Sequence, residues 1–227
     1  MNCSKLLVIE TSERTGQVGL VDNGQLILEQ KLDAIKKRSS DLAEVMATLL
    51  THAGWKPKDL TGVAVGQGPG SFTGLRVGII SAKVLAYTLQ IPLFAVPTFE
   101  TLAFQAPSDV TCISVISDAL KKKVYSQTFI RHPQQVWVEQ IPLQIQPFDQ
   151  WRASVGPTTW VTGPGLALKD CDTRGLRMLD ASLWSPTLKT ITEQVIHFPK
   201  RYESDYWKLE PIYARGSYAE ENSSPMP

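Results

Sequence analysis

The first third of the chain carries its apolar residues in short blocks. Residues 5–10, 17–21 and 25–30 each read as a strand. A polar turn, TSERTG, separates the first two, and Asp22-Asn23-Gly24 is a hairpin signal between the second and third. The period then lengthens. Leu42, Val45, Met46, Leu49 and Leu50 line one side of a helix expected to reach His52 and to end at Gly54. Ser39, Ser40 or Asp41 can cap it, and Asp41 with Glu44 resembles a capping box. A buried strand follows at 63–65, then a glycine turn at 66–70, then a helix over 73–89. Leu75, Gly78, Ile79, Ala82, Leu85, Ala86 and Leu89 form that helix's packed face, and Ser71 and Thr73 are both good N-caps. A strand at 91–96 and a short helix at 98–105 complete the order β-β-β-α-β-α-β-α.

That order is the half-unit of the ribonuclease H-like fold. The remainder reads as a reduced second copy. Strands are expected at 111–117, 124–130 and 136–145, a helical turn at 148–153, and a strand at 160–162 before Gly163-Pro164-Gly165. A helix fits 185–198, with Ser185 as cap, Pro186 at the first helical position, and Leu188, Ile191, Val195 and Phe198 as its stripe. The polar tail EENSSPMP is expected to be disordered. Pro107-Ser108-Asp109 marks the boundary, giving an N-terminal half over 1–107 and a smaller C-terminal half over 108–227. The expected class is α/β, an actin-like (ASKHA) fold of two ribonuclease H-like halves, the second reduced.

Composition changes this picture little. The chain has 227 residues, 43% hydrophobic and 20% charged, as in soluble globular proteins. No apolar run approaches the ~18 residues of a membrane span, and the apolar stretch near the N-terminus is shorter than a secretion signal. Cys3, Cys112 and Cys171 are odd in number and far apart, which argues against a disulfide framework or a zinc site and for a reducing cytoplasm. A net charge of +1 provides no global field for nucleic acid, so any RNA contact has to be local. Lys36-Lys37-Arg38 reads as a solvated run; Lys121-Lys122-Lys123, at a hairpin tip, reads either as solvated or as a contact for tRNA phosphates.

The glycine turn leads from a strand into a helix N-terminus, a geometry that can present amides to an anion. It lacks the closing Gly-Lys-Ser/Thr of a P-loop and the GxGxxG spacing, so a tight structural turn is the competing reading. If Gly70 uses a positive φ, Gly70→Val is expected to destabilise the fold. Glu10 and Asp118 are either carboxylates beside a phosphate or magnesium ion, or strand-end caps. Ser71 and Thr73 have no histidine or lysine base nearby in sequence and read as caps rather than nucleophiles.

Four segments together resemble the bacterial TsaB (YeaZ) family: Glu10-Thr11-Ser12, GQGPGSFTGLRVGI, Ser117-Asp118-Ala119 ahead of Val124-Tyr125, and Glu210-Pro211-Ile212-Tyr213-Ala214-Arg215. The resemblance implies the dimerisation subunit of the complex that makes N6-threonylcarbamoyladenosine (t6A) at position 37 of tRNA, without catalysis of its own. It implies pairing with a TsaD-like catalytic subunit, a TsaE-like ATPase in a ternary complex, a homodimer when alone, and tRNA met through the complex. It implies no cofactor in the isolated chain and leaves ATP or ADP to the complex, with Glu10, Gly68, Gly70 and Asp118 as the nucleotide-proximal candidates. The catalytic relatives carry two metal-binding histidines four apart, and those positions correspond here to Thr98 and Leu102, whose side chains cannot replace imidazole ligands. Other departures are Glu10 for the usual Asp, Leu120 for Arg in the Asp-Ala-Arg motif, and Arg38 at a position that is often His. An independent actin-like ATPase or sugar kinase and a peptidase are the alternative classes; the chain shows weak phosphate motifs for the first and no nucleophile–base pair for the second.

The resemblance also implies pairing through the first two helices. Val77, Ile80, Val84 and Tyr87 lie off the packed face of the second helix, beside Ser81. Together with Leu42, Val45, Met46, Leu49 and Leu50 on the first, they are expected to make an exposed apolar patch. The Gly74-Gly78-Ala82 stripe is expected to bring the two helices close together.

Overall fold

The computed structural model describes residues 4–32, 39–132, 136–168 and 172–213. The readings placed on Cys3, 36–38, Cys171, Arg215, the 220–227 tail and the capping side chains of Ser39 and Ser40 lie outside what is described. Strand β1 (Lys5–Glu10) is buried along nearly its whole length because both of its faces are covered. It pairs antiparallel with β2 (Gln17–Asp22), which continues through the Asp22-Asn23-Gly24 turn into edge strand β3 (Gln25–Lys31). On its other side β1 pairs parallel with β4 (Gly62–Gly68), and β4 pairs parallel with β5 (Leu93–Pro97). The alternation of side chains along a strand decides which helix each residue meets. Leu7, Ile9, Val63 and Val65 pack against α1 (Ser39–His52) and α2 (Phe72–Leu89). Leu6, Val8, Ala64 and Phe94 face the other way, onto α5 (Leu188–His197).

The second sheet is built from β6 (Cys112–Asp118), β7 (Lys123–Arg131), β8 (Trp137–Pro147), β9 (Trp160–Thr162) and β10 (Arg177–Met178), in the order β10-β9-β6-β7-β8. Helix α3 (Thr98–Phe104) sets Phe99 and Leu102 against Ile113 and Val115 on one face. On the other, α4 (Phe148–Ser154) sets Phe148 and Trp151 against Ile116, Val124 and Val161.

Several boundaries differ from expectation. Helix α1 starts at Ser39, so Asp41 sits inside the first turn and not at the cap. Its other end is as read: Gly54, at φ +69, donates to Thr51 O (3.0 Å) and Trp55 donates to Leu50 O (2.8 Å), a Schellman closure. Ser71 caps α2, its Oγ accepting from Gly74 N (3.3 Å), which leaves Thr73 within the helix. Thr187, not Ser185, caps α5; its Oγ1 accepts from Thr190 N (3.2 Å), while Ser185 Oγ donates to Glu13 (2.9 Å). Helix α2 is also long and apolar enough, by length and composition, to span a membrane, contrary to the reading that no such run exists. Here its Leu75, Ile79, Ala82 and Ala86 are buried against the sheet, while Ile80, Val84 and Tyr87 are exposed.

The boundary at 107/108 does not divide the layers. Helices α5 and α6 (Pro199–Tyr202) and strand β11 (Glu203–Ser204) return to the first sheet, β11 pairing antiparallel with β5. A polar network around the buried Glu100 fastens this return. Glu100 Oε1 accepts from Arg201 Nη2 (2.7 Å) and Tyr202 OH (2.9 Å), the same hydroxyl accepts from Gln194 Nε2 (3.1 Å), and Thr101 Oγ1 donates to Gln194 Oε1 (2.9 Å). Burial raises the Glu100 carboxyl above its ordinary range, against the lowering by Arg201.

Leu42, Leu49 and Leu50, read as part of an exposed patch, are core residues. Helix α1 lies on the sheet by the very stripe that made it recognisable. Leu42→Ala is therefore expected to cost about 2–5 kcal/mol of folding stability, measured by urea unfolding, whereas Ile80→Ala, at an exposed position, should cost well under that.

Candidate functional site

Two features stand out where β1 and β4 end. The first is a closed contact between the β1 end and the glycine turn. Gly66 has no room for a side chain, because the Glu10 carboxylate lies where a Cβ would be. Gly70 is equally constrained by Ser12 O, and Gly74 and Gly78 by Thr11. The small-residue stripe of α2 thus fits the β1–β2 turn, not α1 as expected. Gly68 takes the positive φ of this loop (+101), and Gly70 does not. Gly70→Val is still expected to be harmful, but by collision with Ser12 rather than by strain in φ.

The Glu10 carboxylate is buried. It accepts from Ser12 N (2.6 Å) and from Thr98 Oγ1 (3.4 Å), and that hydroxyl in turn accepts from Gly68 N (3.2 Å). Burial pushes the Glu10 carboxyl upward, with the Ser12 hydrogen bond opposing. Glu13, partly buried nearby, is raised by burial and by the charge of Glu10. Thr11 Oγ1 and Glu13 Oε1 are buried without a hydrogen-bond partner among the described residues.

Part of this loop serves the chain itself: Gly68 N donates to Thr98, Ser71 N to Ser12 O (2.6 Å), and Gly74 N to Ser71. Of the nucleotide-proximal candidates, Glu10, Gly68 and Gly70 are brought together. Asp118 belongs to the other sheet, where its carboxylate accepts from Leu120 N (2.7 Å) at a hairpin turn. Of the two positions matched to metal ligands, Thr98 is a hydrogen-bond relay and Leu102 is fully buried in the second core.

The second feature is the outer face of α2. Ile80, Val84 and Tyr87 are 59%, 60% and 48% exposed, one turn apart in succession. Val45, Met46 and Val77 are half-buried and pack against the core, Ser81 is half-buried, and Gly78 is buried. Sequence periodicity missed what lies along the other flank. Residues 205–213 run back over α2 as a strap. Tyr206 OH donates to Ile91 O (2.9 Å), Lys83 Nζ to Leu209 O (3.0 Å), Gln67 Nε2 to Glu210 O (2.9 Å), and Ile212 N to Gln67 O (2.9 Å). Tyr213 packs on Phe72, with ring centroids 5.0 Å apart, and accepts from Arg76 Nε (2.9 Å). Trp207, 75% exposed, meets Tyr87 edge-on at 5.2 Å and extends the apolar row beyond the helix. The EPIYAR motif was the only sign of the strap in the sequence.

Comparison with known proteins agrees with this architecture. Residues 28–137 match the family model described as TsaD, tRNA N6-adenosine threonylcarbamoyltransferase. The chain is similar to the Bacillus subtilis tRNA threonylcarbamoyladenosine biosynthesis protein TsaB, 36% identical over 53% of each chain. It is also similar to the Escherichia coli protein of the same description, 29% identical over 59% of this chain and 58% of that one. The chain thus matches a little over half the length of these curated relatives. The solved structure of YeaZ from Pseudomonas aeruginosa superposes with a TM-score of 0.73 over 92% of this chain and 99% of that chain, at 24% identity. That likeness establishes the α/β actin-like fold.

Two outcomes follow from the Glu10 contact. Gly66→Ala should destabilise the chain by about 1–3 kcal/mol through overpacking, and combining it with Glu10→Ala should cost less than the sum of the two single changes in urea unfolding. The folded chain also holds the Glu10 proton to higher pH than the unfolded chain, whose carboxyl sits near 4.5. The stability this group contributes is therefore present at low pH and lost as pH rises from that value through the raised folded one. Glu10→Gln should flatten the stability–pH curve in that window.

Proposed function

We propose, since this chain belongs to the TsaB (YeaZ) family, that it is the non-catalytic partner of a TsaD-like threonylcarbamoyl transferase in the formation of t6A in tRNA. The observation that supports the pairing surface is the row Ile80, Val84 and Tyr87, exposed on a helix whose opposite side is buried core. Adjacent apolar side chains left outward on an otherwise well-packed helix mark a partner site. The partner's own two helices would meet this face, in a four-helix contact. The same face serves a homodimer when the chain is alone, so transferase and second copy compete for it. A TsaE-like ATPase and tRNA join through the assembled complex. ATP or ADP is left to that complex; in the glycine loop Gly68 N and Ser71 N already donate within the chain. The same engagement speaks against an independent ATPase or sugar kinase.

Sedimentation of the chain with its transferase tests this. Ile80→Glu and Val84→Glu should each stay folded yet lose several kcal/mol of association, because an unpaired charge would be buried in the contact. Wild-type pairing by both folded variants would show that the surface is misassigned. The isolated chain should modify no tRNA and carry no stoichiometric transition metal in elemental analysis; t6A formed without a partner would reject the non-catalytic role.

A further inference from the structure

The turn between β6 and β7 has an unexpected backbone. Leu120, Lys121 and Lys122 all lie in the left-handed region, at φ 62, 52 and 59. For residues with a Cβ this conformation is unfavourable, and successive ones are rare. Glycine or asparagine would relieve it, yet the sequence places one leucine and two lysines there. The turn is held by its surroundings. Ala119 N donates to Lys123 O (2.9 Å), Lys123 N to Leu120 O (3.0 Å), Leu120 N to Asp118 Oδ1 (2.7 Å), and Phe148 N, at the start of α4, to Lys122 O (3.1 Å). Strained backbone over-determined by its contacts is characteristic of functional positions.

What this turn displays is positive charge. Lys121, Lys122 and Lys123 are all exposed, and none forms an ion pair or side-chain hydrogen bond among the described residues. Asp118, the adjacent carboxylate, is engaged by the Leu120 amide. Leu120 projects beside them at 62% exposure. In a chain of net charge +1, this is a local cationic point on a fixed turn. We infer that Lys121, Lys122 and Lys123 contact the phosphate backbone of RNA, without reading its sequence. Lysine suits that role as a flexible point charge. The choice of RNA over an anionic membrane rests on the proposed role in tRNA modification.

The test uses the full chain and a labelled tRNA transcript, with binding followed by fluorescence anisotropy across a salt series. Three phosphate contacts predict that log K falls with log salt with a slope of about −2 to −3. Replacing all three lysines by Gln should weaken binding at least tenfold and bring the slope towards zero. Replacing all three by Arg should preserve both, as should Lys56→Gln with Lys58→Gln at a separate surface turn. Thermal unfolding confirms that each variant is folded. Absence of wild-type binding, an unchanged slope in the Gln variant, or an equal loss in the Lys56/Lys58 control would overturn the inference. So would lysine-dependent binding to anionic phospholipid vesicles in place of RNA. Pairing with the transferase, measured by sedimentation, should be unaffected by the Gln variant. Failure of pairing alongside lysine-dependent RNA binding would count against the proposed function and leave this inference standing.

Discussion

The structure depends on how closely the first helical layer approaches the end of β1. Four glycines, Gly66, Gly70, Gly74 and Gly78, meet Glu10, Thr11 and Ser12 at distances that leave no space for a Cβ. A side chain at Gly70 or Gly74 would collide with a backbone carbonyl and lift the turn or α2 from the sheet, whereas one at Gly66 or Gly78 would displace the Glu10 or Thr11 side chain. Within that contact a carboxyl group is buried and partly compensated, with Ser12 N and Thr98 Oγ1 as its donors. Thr98 then links it to Gly68 N and so ties together β1, β4 and α3. The glycine run acts as a structural joint, in which Gly68 N, Ser71 N and Gly74 N serve the protein's own acceptors.

That joint sets what α2 can offer elsewhere. With its inner face locked to the sheet and the β1–β2 turn, the helix presents Ile80, Val84 and Tyr87 outward in a fixed direction. The strap at 205–213 supports its flank through backbone carbonyls and aromatic contacts, and carries Trp207 into line with Tyr87. The strap is in place because α5, α6 and β11 return to the first sheet, fastened by Glu100, Arg201, Tyr202 and Gln194. The two halves of the chain are thus interleaved at the surface assigned to the partner.

Local pattern was sufficient for most elements. The hairpin at Asn23-Gly24, the Schellman end at Gly54, the cap at Ser71 and the alternating strands of both sheets follow from short-range chemistry: positive φ, capping hydroxyls and side-chain period. The GPGSFTGLRVG run and its companions carried the family resemblance, because their spacing reflects the close contact at β1.

Tertiary structure decided what period alone leaves open. An apolar stripe records that a helix packs, not what it packs on, so Leu42, Leu49 and Leu50 could be assigned to a partner when they belong to the core. A glycine stripe records close approach, and only the fold shows that Thr11, rather than α1, is the neighbour. The start of α5 depended on which of the two hydroxyl residues flanking Pro186 had its hydroxyl available, and Ser185 is drawn away by Glu13 across the chain. The left-handed turn at 120–122 has no local signal, because nothing in Leu-Lys-Lys favours positive φ; contacts from β7 and α4 impose it. Sequence therefore determined the elements and the kinship of this protein, whose signals are local. The fold alone decided which faces are buried, because burial depends on residues distant in the chain.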